Sequence, residues 1–97
     1  MFLAVSKYLK PVEEIDKYLS QHISFLDKCY EKKVFIFSGR RVPRIGGVIL
    51  LNVNTEKETR DILKEDPFAI NKIAEYEIIE FVPSKFDPDF SKFIKNI

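Results

Sequence analysis

Histidine, cysteine and methionine each occur once in these 97 residues, glycine three times and tryptophan not at all. The lone Cys29 cannot close an internal disulfide, and a domain this small built for an oxidising compartment ordinarily carries several, so a reducing cytoplasm is expected. One histidine, one cysteine and scattered carboxylates form no H-x-x-x-H or C-x-x-C spacing, so no metal site is expected. The glycines form no G-x-G-x-x-G and no Gly-Lys-Ser/Thr follows them, so neither a dinucleotide fingerprint nor a P-loop is present and no cofactor is expected. Charge of one sign is missing too: 16 basic against 15 acidic residues leave +1. With no block of five like charges, the footprint of a nucleic-acid or anionic-membrane binder is absent. Long apolar runs are also lacking. Met1 to Val5 is short, has no basic leader and runs into Lys7 and Lys10, so it reads as a strand rather than a signal peptide or a membrane span. The partner left by these exclusions is a small molecule, neutral or recognised locally.

An apolar fraction of 45%, with 13% aromatics, is enough for one packed core and leaves no room for a second domain. Phe2 to Leu9 reads as a strand ended by Lys10-Pro11. Pro11 opens a helix, Glu13 and Glu14 suit its positive end, and Ile15, Leu19, Leu26 and Cys29 mark an apolar stripe running to about Lys33. Val34 to Arg41 and Gly46 to Val53 read as two strands joined by a hairpin, with Gly46 and Gly47 giving the loop backbone freedom. Thr55 and Glu58 match a capping box at the start of a second helix that must stop before Pro67. Ala74 to Val82 is the last strand, closed by Pro83. Residues 1–84 thus form the domain and 85–97 a Phe-rich C-terminal tail, in which Asp87-Pro88 is set to cap a short helix.

The order strand, helix, strand, strand, helix, strand predicts an α+β fold of the ferredoxin-like βαββαβ type, with both helices on one face of the sheet. Val34 to Phe37 and Val48 to Leu51 are apolar at every position, so both sheet faces are apolar while the helices cover only one. Leaving about six large side chains wet would forgo roughly 9–18 kcal/mol, comparable with a whole domain's stability, so a homodimer packed through the sheet face is expected. The competing arrangement is a monomer whose tail crosses that face.

His22 lies on the apolar stripe of the first helix. A core histidine satisfied by a backbone carbonyl would sit there, and so would a general base; Asp66, at the end of the second helix, is placed to fix its tautomer. Asp66 before Pro67 also suits a turn residue bonding the backbone that follows. Ser38, Gly39, Arg40 and Arg41 lead into Arg44, Gly46 and Gly47, a hairpin whose guanidinium and N–H groups suit a substrate carboxylate or developing oxyanion. A solvated turn is the alternative. Cys29 reads as a buried inert thiol rather than a nucleophile, and Tyr8, Tyr18, Tyr30 and Tyr76 could donate to a substrate, though core packing alone explains their positions.

These pieces taken in order, Tyr8-Leu9-Lys10-Pro11, His22 with Phe25-Leu26, Ser38-Gly39, Pro43 with Gly46-Gly47, Asp66-Pro67-Phe68, and Ile78-Ile79-Glu80-Phe81 with Pro83, resemble the YCII-related (YciI-like) family. These are small dimeric α+β barrel proteins similar to muconolactone isomerase. The resemblance implies a ferredoxin-like fold, face-to-face dimerisation and a His22–Asp66 dyad. Ser38, Gly39, Arg40, Arg44, Gly47 and Phe68 are the residues expected around the substrate. Relatives include an enzyme that removes chloride from a chlorinated hydroxyquinol. Two departures stand out: Gly39-Arg40 replaces a Gly-Pro pair, and Ala69 to Lys72 replaces a Gly-containing turn.

The leading reading is a cofactor-independent lyase or isomerase acting on a small cyclic or enolisable compound. His22 would move the proton and Asp66 orient it, while Arg40 and Arg44, with N–H groups near Gly39 and Gly47, would hold an anionic oxygen. The alternative is a non-catalytic small-molecule binding or sensory module using the same cleft. RNA binding is disfavoured because Gly46 to Val53 lacks the basic and aromatic alternation that stacks bases. Replacing a histidine poised for function is expected to leave stability intact, so His22→Phe should fold normally, with a melting temperature as high or higher.

Overall fold

A computed structural model describes residues 1–94 of the chain, and the last three residues of the predicted tail lie outside the described part. The elements run β1 (Phe2–Tyr8), α1 (Val12–Asp16), α2 (Leu19–Glu31), β2 (Phe35–Arg40), β3 (Gly47–Leu51), α3 (Glu56–Leu63), α4 (Pro67–Ile70) and β4 (Ala74–Glu80). A 3-10 turn follows at Pro88–Phe93, capped by Asp87 accepting from the Asp89 N–H. The sheet order is β2-β3-β1-β4 with every neighbouring pair antiparallel, which is the ferredoxin-like arrangement. No helix among the described residues is long and apolar enough to cross a membrane.

The expected first helix is broken: Lys17 and Tyr18 separate α1 from α2, Tyr18 lying at φ −112° and ψ 5°. The break lets Ile15 pack with Phe68, Ile73 and Ala74, while Phe25 and Cys29 of α2 join Phe2, Ala4, Phe35, Ile49 and Leu51. The core is therefore two clusters rather than one. Thr55 caps α3 as the Thr/Glu spacing predicts, accepting from the Glu58 N–H at 3.1 Å.

Alternation along β1 sends Phe2, Ala4 and Ser6 toward the helices and Leu3, Val5 and Lys7 to the other side. In β2 a bulge at Ile36 breaks that alternation, since Phe35 pairs with Leu51 but Phe37 pairs with Leu50. The irregularity turns Phe37 to the open face and Ser38 to the helix side. Gly46 has a different purpose from the loop freedom expected of it, because no glycine here has positive φ. A Cβ at Gly46 would stand 1.9 Å from the backbone oxygen of Ser6, so only glycine lets the hairpin close against β1. The positions that do need the left-handed region are Lys33 (φ 60°) and Lys72 (φ 56°), which end α2 and α4. Lys72 thus takes up, without being glycine, the left-handed conformation that a glycine most readily adopts at a helix end.

Candidate active site

His22 and Asp66 are 44 residues apart in sequence and in direct contact in space: Nδ1 of His22 lies 2.7 Å from Oδ1 of Asp66. The Asp66 side chain is completely buried and that of His22 is 15% exposed. Asp66 carries out both tasks that the sequence left open. As the N-cap of α4 it accepts the Phe68 N–H at 3.0 Å on Oδ1, while Oδ2 accepts the Tyr76 hydroxyl at 2.5 Å. A carboxylate already holding two donors is an acceptor toward the imidazole, so Nδ1 carries the proton and Nε2 keeps its lone pair. Phe68 fixes the ring from its face, stacked at 4.0 Å and 5°.

The imidazole forms part of the wall of a cavity of about 490 Å³. Leu19, Ile23, Leu26, Ile49 and Phe68 give that cavity apolar sides, and Val48 reaches it only through its backbone, its side chain lying on the other sheet face. Ser38, Gly39, Arg40, Arg44 and Gly47 line it as well, Asp66 stands behind His22, and the hairpin's Arg41 does not line it but donates to the backbone oxygen of Ser6 at 3.4 Å. Their chemistry differs from expectation in two respects. The Gly47 N–H already donates to the Ser6 hydroxyl at 2.7 Å, so it is not free for an oxyanion. Arg44 donates to Asp16 at 2.5 Å, and the hydrogen bond to Asp16 holds its guanidinium pKa above the usual value. Arg40 makes no ion pair among the described residues and is the cation open to an incoming anion.

Tyr76 and Ser6 also line the cavity and Tyr30 bonds the Ser38 hydroxyl from behind it; sequence reasoning assigned none of them to the site. The signal for Ser6 was its place in the Phe2, Ala4, Ser6 alternation, a polar side chain on the buried face of an apolar strand. Tyr76 pairs with Ser6 across β1 and β4, so register was needed to find it. Burial first, and the Asp66 carboxylate second, push the Tyr76 phenol far above the ordinary tyrosine range. In the unfolded chain that phenol ionises near pH 10. Its stabilising contribution is therefore complete below about pH 10 and is lost above it, where the unfolded state binds one proton fewer, at about 1.4 kcal/mol per pH unit. Denaturant midpoints measured between about pH 9 and 11.5 should fall more steeply for the wild type than for Tyr76→Phe, and equal slopes would contradict this account.

The expectation that His22→Phe would fold without cost needs revision. Removing the imidazole takes one of three donors from a fully buried carboxylate, a loss of about 1–3 kcal/mol. Cys29 is buried, which pushes its thiol upward. Among the described residues, no group of three or more His, Cys, Asp or Glu is placed to hold a metal ion.

An antiparallel ferredoxin-like sheet with helices on one face, and a buried carboxylate orienting a histidine at the wall of a cavity, define a small α+β domain. The chain belongs to the YCII-related domain family, whose model matches residues 1–82. No curated protein matches it in sequence. Among solved structures it is similar to 5-chloro-2-hydroxyhydroquinone dehydrochlorinase (TftG) from Burkholderia phenoliruptrix AC1100, in complex with 2,5-dihydroxybenzoquinone. The TM-score is 0.70 at 12% identity, covering 84% of this chain and 94% of that one, a likeness of fold. The family match ends close to the predicted domain boundary. Beyond it, Phe93 and Ile94 line a surface hollow together with Met1, Val34 and Val53.

Proposed function

We propose that this protein is a cofactor-independent lyase or isomerase that uses His22 and Asp66 for general acid/base chemistry on a small cyclic or enolisable compound in the cytoplasm. The observation that carries the reading is the 2.7 Å contact between His22 and a fully buried Asp66, with the imidazole facing an apolar-walled cavity. Nε2 takes a proton from an enolic O–H or from a C–H beside a carbonyl. The freed electron pair moves into the substrate's π system. In a lyase it expels an anion from a neighbouring carbon. In an isomerase the imidazolium returns the proton at a different carbon. Asp66 stabilises the imidazolium formed in between, and Arg40 draws the substrate's anionic oxygen or carboxylate to the mouth.

The dehydrochlorinase likeness makes chlorinated hydroxyquinols the first compounds to try, followed by unsaturated lactones. Release of chloride or a change in ultraviolet absorbance reports turnover. Conversion of at least one compound supports the reading; 2,5-dihydroxybenzoquinone and the lactones binding without any conversion across the panel would point to the sensory module.

The same reading takes the protein as a homodimer packed through the sheet face away from the helices. Leu3, Val5, Val48 and Leu50 form the middle of that face, and Phe37 and Ile79 remain 50% and 44% exposed on it. The described part of the tail does not cover them.

A further inference from the structure

The polar groups of the cavity are unevenly placed, and one of them has a hydroxyl proton with no acceptor among the described residues. Ser38 is turned inward by the bulge at Ile36 and receives the Tyr30 hydroxyl at 2.8 Å. The phenol is the stronger acid of the two hydroxyls and has no other acceptor among the described residues, so Tyr30 donates and Ser38 accepts. The Tyr30 ring is held edge-on against Phe35, with centroids 5.9 Å apart at 89°. With its acceptor side occupied by Tyr30, Ser38 has its own proton left to donate, and the space it faces is the cavity.

His22, Leu26 and Tyr30 follow one another at steps of four along α2, so they share a face of that helix. Ser38 is on β2, whereas Tyr76, which bonds the Asp66 carboxylate behind His22, is on β4; these are the two edges of the β2-β3-β1-β4 sheet, so Ser38 and His22 stand toward opposite sides of the cavity. A donor at that end cannot serve the atom that His22 deprotonates.

Resting on the proposed function of this cavity, we infer that Ser38, held as a one-way donor by Tyr30, binds an oxygen at the far end of the substrate from the reacting atom. The site thereby selects flat compounds that carry a carbonyl or ionised hydroxyl opposite the position attacked. Ser38 is the specificity-determining residue. Tyr30 touches no substrate and is a positioning residue.

The test is binding and needs no turnover. 4-Nitrophenolate, whose absorption band moves when its oxygen accepts a hydrogen bond, and toluene, which has the ring without the oxygen, are titrated into wild-type protein, Ser38→Ala and Tyr30→Phe. Ser38→Ala should bind 4-nitrophenolate about tenfold more weakly, with a displaced band, and toluene unchanged. Tyr30→Phe should lose about threefold on the phenolate alone and move the band in the same direction by less. Circular dichroism checks that each variant is folded. Should Ser38→Ala be distorted, the Tyr30→Phe band shift decides alone. Ser38→Ala binding both probes as the wild type does, or losing both equally, overturns the inference, as does a wild-type protein that binds neither. A wild type that binds 4-nitrophenolate through Ser38 yet converts no compound would sink the catalytic reading and leave this one standing.

Discussion

His22→Ala should lower kcat/KM by about 10²–10⁴-fold on any compound the protein converts, the range that a positioned general base contributes. Asp66→Asn should act differently from a simple loss of orientation. The Phe68 N–H points at Oδ1, so an asparagine amide nitrogen there would face a donor; the oxygen is held in that place and the amide turns toward Tyr76. The imidazole keeps its tautomer but loses the negative charge that steadies the imidazolium. A fall of about 10²-fold follows, smaller than for His22→Ala. Because the two groups act as a unit, the double variant should be no slower than His22→Ala alone. Steady-state kinetics of the three variants checks this; additive losses, or full activity in His22→Ala, would rule out the dyad.

Phe37→Lys and Ile79→Lys should each convert a dimer to a folded monomer. Both side chains are substantially exposed in the single chain, so a lysine costs the fold little, whereas a twofold interface would place each substitution twice in a desolvated contact. Losing roughly 1.5–3 kcal/mol per side chain, doubled by symmetry, weakens association by roughly 10²–10⁴-fold. Sedimentation across a range of concentrations distinguishes the cases. A wild type that sediments as a monomer at every concentration would remove the dimer. Leu50 is unsuitable for this test, since it is already buried within the single chain and its loss would unfold the protein.

Periodicity made the strands and the α2 stripe legible, and Thr55 with Glu58 fixed the start of α3, because these signals are local. The break at Lys17 and Tyr18 was hidden, since Ile15 and Leu19 keep helical spacing across it and only the separate cluster around Phe68 requires the bend. His22 was readable from its place on the helix stripe, Asp66 from its place at the end of the second helix, and both through family likeness. Tyr76 and Ser6 were not, because strand register brings them to the cavity, and Tyr30 was not, because the Ile36 bulge turns its partner Ser38 inward; neither leaves a trace in composition. The Gly47 N–H was misassigned for a related reason: its partner, the Ser6 hydroxyl, lies 41 residues away.

The two-cluster core gives the dyad a consequence beyond chemistry. Leu63 of α3 belongs to one cluster and Phe68 of α4 to the other, with Asp66 between them in sequence, while His22 stacks on Phe68 and also neighbours Phe25 in the first cluster. The hydrogen bonds that aim the imidazole are thus also a tie between two halves of the interior that would otherwise open as separate cooperative units. Adapting this fold to a new reaction by altering the dyad loosens the α1 and α4 end from the rest of the domain. The wall residues Ile23 and Leu26 take no part in that tie, and they are the positions at which a new specificity can arise without loss of cooperativity.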